Sequence, residues 1–143
     1  MARLTIPQSV AEWNERGRQY LPGHLGIEFL AVEPDELRAR MRVERSVCAW
    51  NGFLHAGAVV SLADTCCGYA TLRNLPGDAE GFTTIELKSN FLGTTLEGDV
   101  LCTAKPAHKG RTTQVWDAEV RAGKTGKAIA LFRCTQMILR KKN

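Results

Sequence analysis

Apolar and polar residues alternate most clearly in the stretch ELRARMRVE, residues 36–44, where three arginines separate the apolar positions. Successive side chains of a strand point to opposite faces, so this period predicts a strand with one buried and one solvated face. A second apolar run, residues 25–32, precedes it across the turn EPDE. We therefore predict two strands, over 25–32 and 36–44.

The rest of the chain predicts two helices and four further strands. The stretch PQSVAEWNERGRQY predicts a short amphipathic helix over 7–20, within an N-terminal helical region of residues 1–20. Its apolar side carries Val10, Trp13 and Tyr20. A longer helix is predicted over 55–73 and ends at NLPGDAEG. The last four strands fall within residues 82–139, at 82–92, 97–107, 112–121 and 127–139.

The order of these elements predicts the fold class. The connections GTTLEGD, HKGR and AGKTGK are short and turn-like, so strands adjacent in sequence are expected to pair antiparallel. A chain of 143 residues fits a single domain, over 1–143, with a real core. The predicted class is α+β, in which one antiparallel sheet covers a single central helix.

The long helix contains an unusual stripe of small residues. On a helical wheel of about 100° per residue, one broad arc is apolar and comprises Val59, Leu62, Ala63, Cys66, Cys67, Tyr69 and Ala70. The stripe on the other side comprises Gly57, Ser61, Asp64, Gly68 and Thr71, with Thr65 nearby. Asp64 is the single Asp, Glu, Lys or Arg of residues 51–70.

Two interpretations of this stripe follow from the residues. Small side chains let another backbone or a ligand approach closely, although each glycine costs a helix about 1 kcal/mol relative to alanine. Asp64 then either caps or pairs across a helix contact in an oligomer, or it is a functional carboxylate. Both interpretations hold if an active site lies at a subunit interface. In either case, partial burial is expected to raise the pKa of Asp64.

Composition narrows the classes of function. Hydrophobic and charged fractions of 44% and 24% are typical of a soluble globular domain, and apolar runs of about five residues are too short to span a bilayer. MARLTIPQSVAEW does not resemble a secretory signal, so we expect a cytoplasmic protein. Five cysteines without a C-x-x-C pair predict buried thiols, with neither disulfides nor a zinc site. The net charge of +4 lies partly in the tail RKKN; we expect no nucleic-acid partner, although a positive field suits a small anionic ligand.

Several motifs, taken in order, resemble one enzyme family. NGFLHAG precedes LAD in the long helix, and TIELKSNF, LEGD and HKGRT follow. Over residues 22–139 this series resembles the hot-dog-fold acyl-CoA thioesterases of the phenylacetate-pathway (PaaI-like) type. The resemblance implies a long helix wrapped by an antiparallel sheet and a homo-oligomer, dimer or tetramer, that joins sheets edge to edge. It also implies active sites between subunits.

The resemblance implies catalytic roles for four residues. Asp64 matches the family's catalytic carboxylate, which acts as a nucleophile or as a general base on water. His55 matches the His of the family's His-Gly-Gly turn, and Ala56 replaces the first glycine, whose backbone N–H polarises the thioester carbonyl. Thr84 matches the Ser or Thr that positions the attacking water. From the residues alone, His55 is equally well a hydrogen-bond donor that holds the turn.

Further residues are expected to contact the substrate. In the stripe, Gly57, Ser61 and Gly68 leave room for a thioester and a water. Asn51 lies two positions from the place where the family often has Asn and this chain has Ala49. The basic turn HKGRT suits the phosphates of coenzyme A, or else is a plain solvated hairpin. Its candidate contacts are Lys109, Gly110, Arg111 and Thr112.

The expected function is hydrolysis of an acyl-CoA thioester to a free acid and coenzyme A, without a metal or cofactor. Two alternatives stay open. One is a non-catalytic acyl-CoA-binding or structural module of the same fold. The other is an enoyl-thioester hydratase or dehydratase. Aromatic acyl groups such as phenylacetyl and medium aliphatic chains both fit the expected hydrolysis.

Overall fold

The computed structural model describes residues 4–142 as three helices, a short 3-10 turn and one six-stranded sheet. In chain order the elements are α1 (Val10–Gly17), α2 (Leu21–His24), β1 (Ile27–Glu33), β2 (Glu36–Arg42), the 3-10 turn (Arg45–Val47), α3 (Ala56–Arg73), β3 (Gly81–Phe91), β4 (Asp99–Lys109), β5 (Thr113–Ala122) and β6 (Ala128–Leu139). Each helix and strand predicted from the sequence is present, and the predicted α+β class is confirmed.

The N-terminal helix is shorter than the predicted 7–20. It begins after Ser9, whose hydroxyl oxygen accepts a hydrogen bond from the Glu12 N–H at 3.2 Å, and it ends at Gly17. The chain then enters the separate helical turn α2. Tyr20 therefore lies outside α1 and is 71% exposed, whereas Trp13 is buried as predicted. Residues 1–3 of the predicted region lie outside the described residues.

The strands form one antiparallel sheet in the order β1-β2-β4-β5-β6-β3. The predicted pairing of sequence neighbours is confirmed for β4 with β5 and for β5 with β6, but it is wrong for β3 and β4. β3 pairs with β6 instead, and so it forms an edge of the sheet. β3 and β4 are three strand spacings apart, about 14 Å. The connection of residues 92–98 crosses that gap, because seven extended residues reach about 23 Å.

The apolar arc of α3 packs against the inner face of the sheet. Six of its seven predicted members are at most 4% exposed, namely Val59, Leu62, Ala63, Cys66, Cys67 and Ala70. The seventh, Tyr69, stacks on Phe29 of β1 with ring centroids 4.7 Å apart. The cysteines are unpaired, as predicted, and all but the half-buried Cys48 are buried. Burial raises the pKa of the Cys66 and Cys67 thiols, which makes them poor nucleophiles.

Candidate active site

His55 caps the N-terminus of α3. Its backbone is extended, with φ −69° and ψ 132°, and its ring Nδ1 accepts a hydrogen bond from the Gly57 N–H at 2.7 Å. A Cβ on residue 57 would lie 2.9 Å from that nitrogen, so a larger residue there would push the ring away from its capping position. The His55 N–H donates to the Val47 carbonyl at 3.0 Å. His55 thus holds the turn through an acceptor nitrogen, whereas the sequence suggested a donor.

The Ala56 N–H is a free donor at this end of α3. The ring of His55 takes the Gly57 N–H, and the N–H groups of Ala58 and Val59 both reach the His55 carbonyl, at 3.0 and 3.2 Å. Ala56 is exposed, and its N–H has no hydrogen-bond partner in the described part of the chain. The positive end of the helix therefore leaves one N–H available to polarise a carbonyl oxygen.

Asp64 lies about two turns further along α3 and is half-buried. Its Oδ1 atom is shielded from solvent and has no hydrogen-bond partner among the described residues. Ser61 does not supply one, since its hydroxyl donates to the Gly57 carbonyl at 2.7 Å. Burial raises the pKa of Asp64, as predicted from the sequence. Asp64 is therefore a stronger base than a solvated aspartate.

The small-residue stripe of α3 faces β3 and is open only over its first half. Gly68 lies beneath the ring of Phe82, since a Cβ on residue 68 would be 3.2 Å from Phe82 Cζ. Gly68 and Thr71 are both buried, whereas Gly57 is exposed and Asp64 is half-buried. Gly68, which was expected to border the substrate, is thus covered within the protomer. The accessible part of the stripe runs from Gly57 to Asp64.

The inward side of β3 forms the other wall of this open cleft. Leu87 and Phe91 remain 44% and 49% exposed there, although they lie opposite buried residues of β6. The Oγ atom of Ser89 is buried without a hydrogen-bond partner in residues 4–142. Thr84 donates its hydroxyl proton to Gln136 Oε1 at 2.7 Å, so its oxygen is left as an acceptor. The cleft therefore combines apolar surface with hydroxyl groups.

Sequence reasoning missed Gln136 and Ser89. Gln136 is fully buried in β6, and the available signal was a polar residue in the inward register of ALFRCTQMIL. Ser89 was harder to find, because the register of β3 shifts between Thr84 and Glu86. That irregularity moves all later side chains of the strand to the other face, and no feature of TIELKSNF indicates it.

The basic turn lies at the opposite end of α3 from Ala56. Lys109 Nζ contacts Asp35 Oδ1 at 2.5 Å and Asn74 Oδ1 at 3.4 Å. Asn74 is the C-cap of α3 and lies about 15 Å from Asp64 along the helix axis. Lys109 is therefore already paired with a carboxylate, and it is distant from Asp64 within one protomer.

Arg111 is the more available cation of this turn. Its side chain is 83% exposed, and its ion pair with Asp78 is a 4.0 Å contact. Gly110 shapes the turn, since a Cβ there would lie 2.4 Å from His108 Nε2. Thr112 contributes its carbonyl, which accepts a hydrogen bond from the Ile138 N–H at 2.9 Å.

Asn51 lies in the turn that precedes α3. Its Oδ1 accepts a hydrogen bond from the Phe53 N–H at 3.2 Å, so the side chain holds the turn. The residues predicted for the site thus fall into groups along α3. Asn51, His55, Ala56 and Gly57 lie at its start, Ser61 and Asp64 lie in its middle with Thr84 on the facing strand, and Lys109, Gly110, Arg111 and Thr112 lie at its end.

Comparison with known proteins identifies the family. The sequence profile of the thioesterase superfamily matches residues 51–129. A 1,4-dihydroxy-2-naphthoyl-CoA hydrolase of Listeria monocytogenes is 30% identical over 118 residues, which are 82% of this chain and 94% of that protein. A thioesterase of Haemophilus influenzae superposes with a TM-score of 0.88 at 27% identity, covering 94% of this chain and 92% of its own. A thioesterase family protein of Silicibacter pomeroyi superposes with a TM-score of 0.81 at 30% identity, covering 92% of this chain and 96% of its own.

The chain belongs to the thioesterase superfamily and has the hot-dog fold, as the sequence predicted. This membership supports thioester hydrolysis as its reaction. The phenylacetate-pathway type stays a prediction. Within residues 4–142, none of the helices has the length and apolarity to cross a membrane. The same residues hold no cluster of three His, Cys, Asp or Glu side chains arranged for a metal ion.

Proposed function

We propose that this protein hydrolyses acyl-CoA thioesters to a free acid and coenzyme A. The observation that carries the proposal is Asp64, a half-buried carboxylate with one oxygen unpartnered among the described residues and a raised pKa. Groups perturbed in this way cluster at functional sites. The family to which the chain belongs supports the same chemistry.

The reaction needs a donor for the developing oxyanion and a base for the attacking water. The Ala56 N–H donates to the thioester carbonyl oxygen. Asp64 takes a proton from water as the water oxygen attacks the carbonyl carbon, and the C–S bond then breaks as the leaving thiolate receives that proton. In the alternative route an Asp64 oxygen attacks the carbonyl carbon, and the C–S bond breaks to release the coenzyme A thiolate and leave a mixed anhydride. Water then hydrolyses the anhydride to the free acid and the Asp64 carboxylate, and the proton released in this step balances the thiolate. Thr84 donates its hydroxyl hydrogen bond to Gln136, so its oxygen accepts a hydrogen bond from the attacking water.

Two copies of the chain are needed to bring these groups to one carbonyl. Ala56 and Asp64 lie about 12 Å apart along one helix axis, whereas reacting atoms must approach to about 3–3.5 Å. We infer a homodimer or homotetramer in which the start of α3 in one copy faces Asp64 of another. The edge strand β3 supports this arrangement, because Ile85, Leu87 and Phe91 are 51%, 44% and 49% exposed there.

Coenzyme A is the proposed thiol part of the substrate. Arg111 offers a phosphate an exposed guanidinium. The Listeria monocytogenes relative is named as the hydrolase of an aromatic CoA thioester, which supports an aromatic acyl group here. The proposed steps use neither a metal nor a redox cofactor. The free cysteines suit a reducing compartment, and we infer a cytoplasmic location.

A complementation experiment tests the site and its two-copy arrangement together. Ala56→Pro removes the N–H yet preserves the helix, since proline is favoured at the first helical position and His55 before it is already extended. Asp64→Asn removes the base. Each variant alone should lose about 10²-fold or more of its thiol release from acyl-CoA. A dimer that mixes them has one intact site, so random exchange should restore about a quarter of wild-type activity.

Ala56→Gly is the matched control, because it changes the same residue and keeps the N–H. If the subunits are shown to exchange and activity does not recover, the two-copy site is rejected. A wild-type protein that releases no thiol from a panel of acyl-CoA esters would reject hydrolysis. Hydration of an enoyl-CoA would then identify the hydratase alternative, and binding without reaction would identify the non-catalytic module.

A further inference from the structure

The turn of residues 49–53, just before α3, carries the most exposed large apolar side chain of the described residues. Trp50 has a relative exposure of 103%, and Phe53 in the same turn has 51%. An aromatic side chain of this size can bury about 150–250 Å². Trp50 therefore leaves a large apolar surface in water, in the turn that leads into the helix start whose N–H is proposed to polarise the substrate.

Backbone hydrogen bonds close this turn, so the course of the backbone at Trp50 is defined. The Ala49 N–H donates to the Phe53 carbonyl at 2.7 Å, and the Gly52 N–H donates to the Ala49 carbonyl at 2.8 Å. Gly52 has φ +89°, a conformation that favours glycine. An isolated β-bridge joins the residues on either side of the turn. Closed hydrogen bonds of this kind distinguish the turn from a loose loop tip.

The turn is also attached to the start of α3. The His55 N–H bonds to the Val47 carbonyl at 3.0 Å, which ties the segment before the turn to the helix cap. In the proposed two-copy site, Ala56 of one copy faces the cleft that contains Asp64 of another. Because the turn and the helix cap are joined, a subunit contact that brings Ala56 to that cleft also brings the backbone of the turn close to it.

We propose that Trp50 forms the acyl-side wall of this composite site and selects acyl groups with a flat apolar body. The inference rests on the proposed function and names its substrate class. An aryl acyl group stacks on the indole ring, whereas an acetyl group leaves most of the ring in water. Leu87 and Phe91 of the receiving copy, 44% and 49% exposed, provide the facing apolar wall.

The fluorescence of Trp50 tests this placement without turnover. Trp13 and Trp116 are 3% and 0% exposed, so Trp50 is the tryptophan whose emission reports contact with solvent. In the Asp64→Asn protein, phenacyl-CoA, an uncleavable thioether that carries a phenyl ketone, should shift this emission to shorter wavelength or quench it. S-ethyl-CoA, which has no aryl group, should do neither. The response should disappear when Trp50→Phe is added.

Kinetics on an acyl panel provide the second measurement. Trp50→Ala should lower the ratio of kcat/KM for an aryl acyl-CoA to kcat/KM for acetyl-CoA by about tenfold or more. Tyr20→Ala is the matched control, since Tyr20 is a 71% exposed aromatic residue on the α1–α2 connection, and it should leave the ratio unchanged. Sedimentation of each variant reports whether the oligomer persists.

Two results would overturn the inference by assigning Trp50 another role. One is a short-wavelength Trp50 emission that is present without ligand and does not respond to phenacyl-CoA. The other is an equal kinetic loss for every acyl group, because both results assign Trp50 to a plain subunit contact. If the protein cleaves acyl-CoA normally but the Trp50 emission does not respond to phenacyl-CoA, only this inference is rejected. A Trp50 response in a wild-type protein that cleaves no thioester rejects the hydrolysis and supports the placement.

Discussion

Asp64→Asn changes the chemistry of the carboxylate with little change in its volume. Asparagine still forms hydrogen bonds, but it cannot take a proton from water or form an anhydride. Hydrolysis of acyl-CoA should therefore fall by about 10²–10⁴-fold, the range that general-base catalysis contributes. Asp64→Glu should keep part of the activity if the carboxylate works through water, because a base tolerates a longer arm better than a nucleophile does. Release of free thiol is the assay.

The same substitution should not destabilise the protein at neutral pH. Burial raises the native pKa of Asp64, whereas the unfolded chain has a pKa of about 3.9. Between those two values the native state binds more protons, so wild-type stability falls as the pH rises. Each pH unit between the native and the unfolded pKa lowers the free energy of unfolding by about 1.4 kcal/mol. This loss of stability is complete above the native pKa. Asparagine has no such loss, so Asp64→Asn should match or exceed wild type near pH 7 and lose any advantage towards pH 4.

Thermal unfolding of both proteins between about pH 4 and about pH 8 measures this difference. Asp117→Asn is the matched control, because Asp117 forms a surface ion pair with Arg133 and should contribute little to stability. Parallel pH profiles for wild type and Asp64→Asn would refute the raised pKa. An Asp64→Asn protein that is inactive because it dissociates into unfolded monomers would instead make Asp64 a partner in the subunit contact.

Two further changes separate structural from substrate-binding roles. His55→Ala should lower the free energy of unfolding in urea by about 1 kcal/mol because α3 loses its cap, and His55→Asn should recover it; equal losses in the two variants would contradict a capping role. Arg111→Ala should raise KM for acyl-CoA more than it lowers kcat, and the difference from wild type should narrow as salt rises. Lys109→Ala should have a smaller effect because Asp35 already neutralises Lys109. On a thioester without the nucleotide, the wild type, Arg111→Ala and Lys109→Ala should have equal rates of cleavage. Wild-type kinetics of Arg111→Ala on acyl-CoA would show that the turn is only a hairpin.

The sequence predicts those parts of the fold that depend on local periodicity. The alternation in ELRARMRVE and the apolar arc of α3 each reflect burial against one surface, and both predictions are confirmed. Strand order is different, because it depends on how far a connection reaches. GTTLEGD resembles a tight turn in composition, yet the seven-residue connection 92–98 that contains most of it is long enough to cross two intervening strands. Nothing in the segment itself distinguishes these two outcomes.

In the candidate site too, features that depend on local sequence could be predicted, whereas contacts between distant residues could not. Asp64 is detectable from sequence because a lone carboxylate among small residues is unusual in a helix, and the burial that raises its pKa follows from those neighbours. The pairing of Lys109 with Asp35 joins residues 74 positions apart, so the sequence gives no sign that one of the two cations is already neutralised. Thr84 and Gln136 are likewise 52 positions apart. Such contacts exist only once the sheet is assembled.

Several unsatisfied groups of the protomer lie in the first half of α3, in the turn before it and on β3, which supports the proposal that they serve one interface. The unpartnered Asp64 oxygen, the exposed Trp50 ring and the apolar inward side of β3 each cost the isolated chain free energy, and the exposed Ala56 N–H is left to water. Elsewhere the inner surface of the sheet is filled by the apolar arc of α3, and the cysteines are buried. Sequences depart from local consistency mainly where function requires it. One helix cannot bring its own N-terminus and its own flank to a single carbonyl, so we propose a second copy of the chain as the partner that would satisfy these groups together.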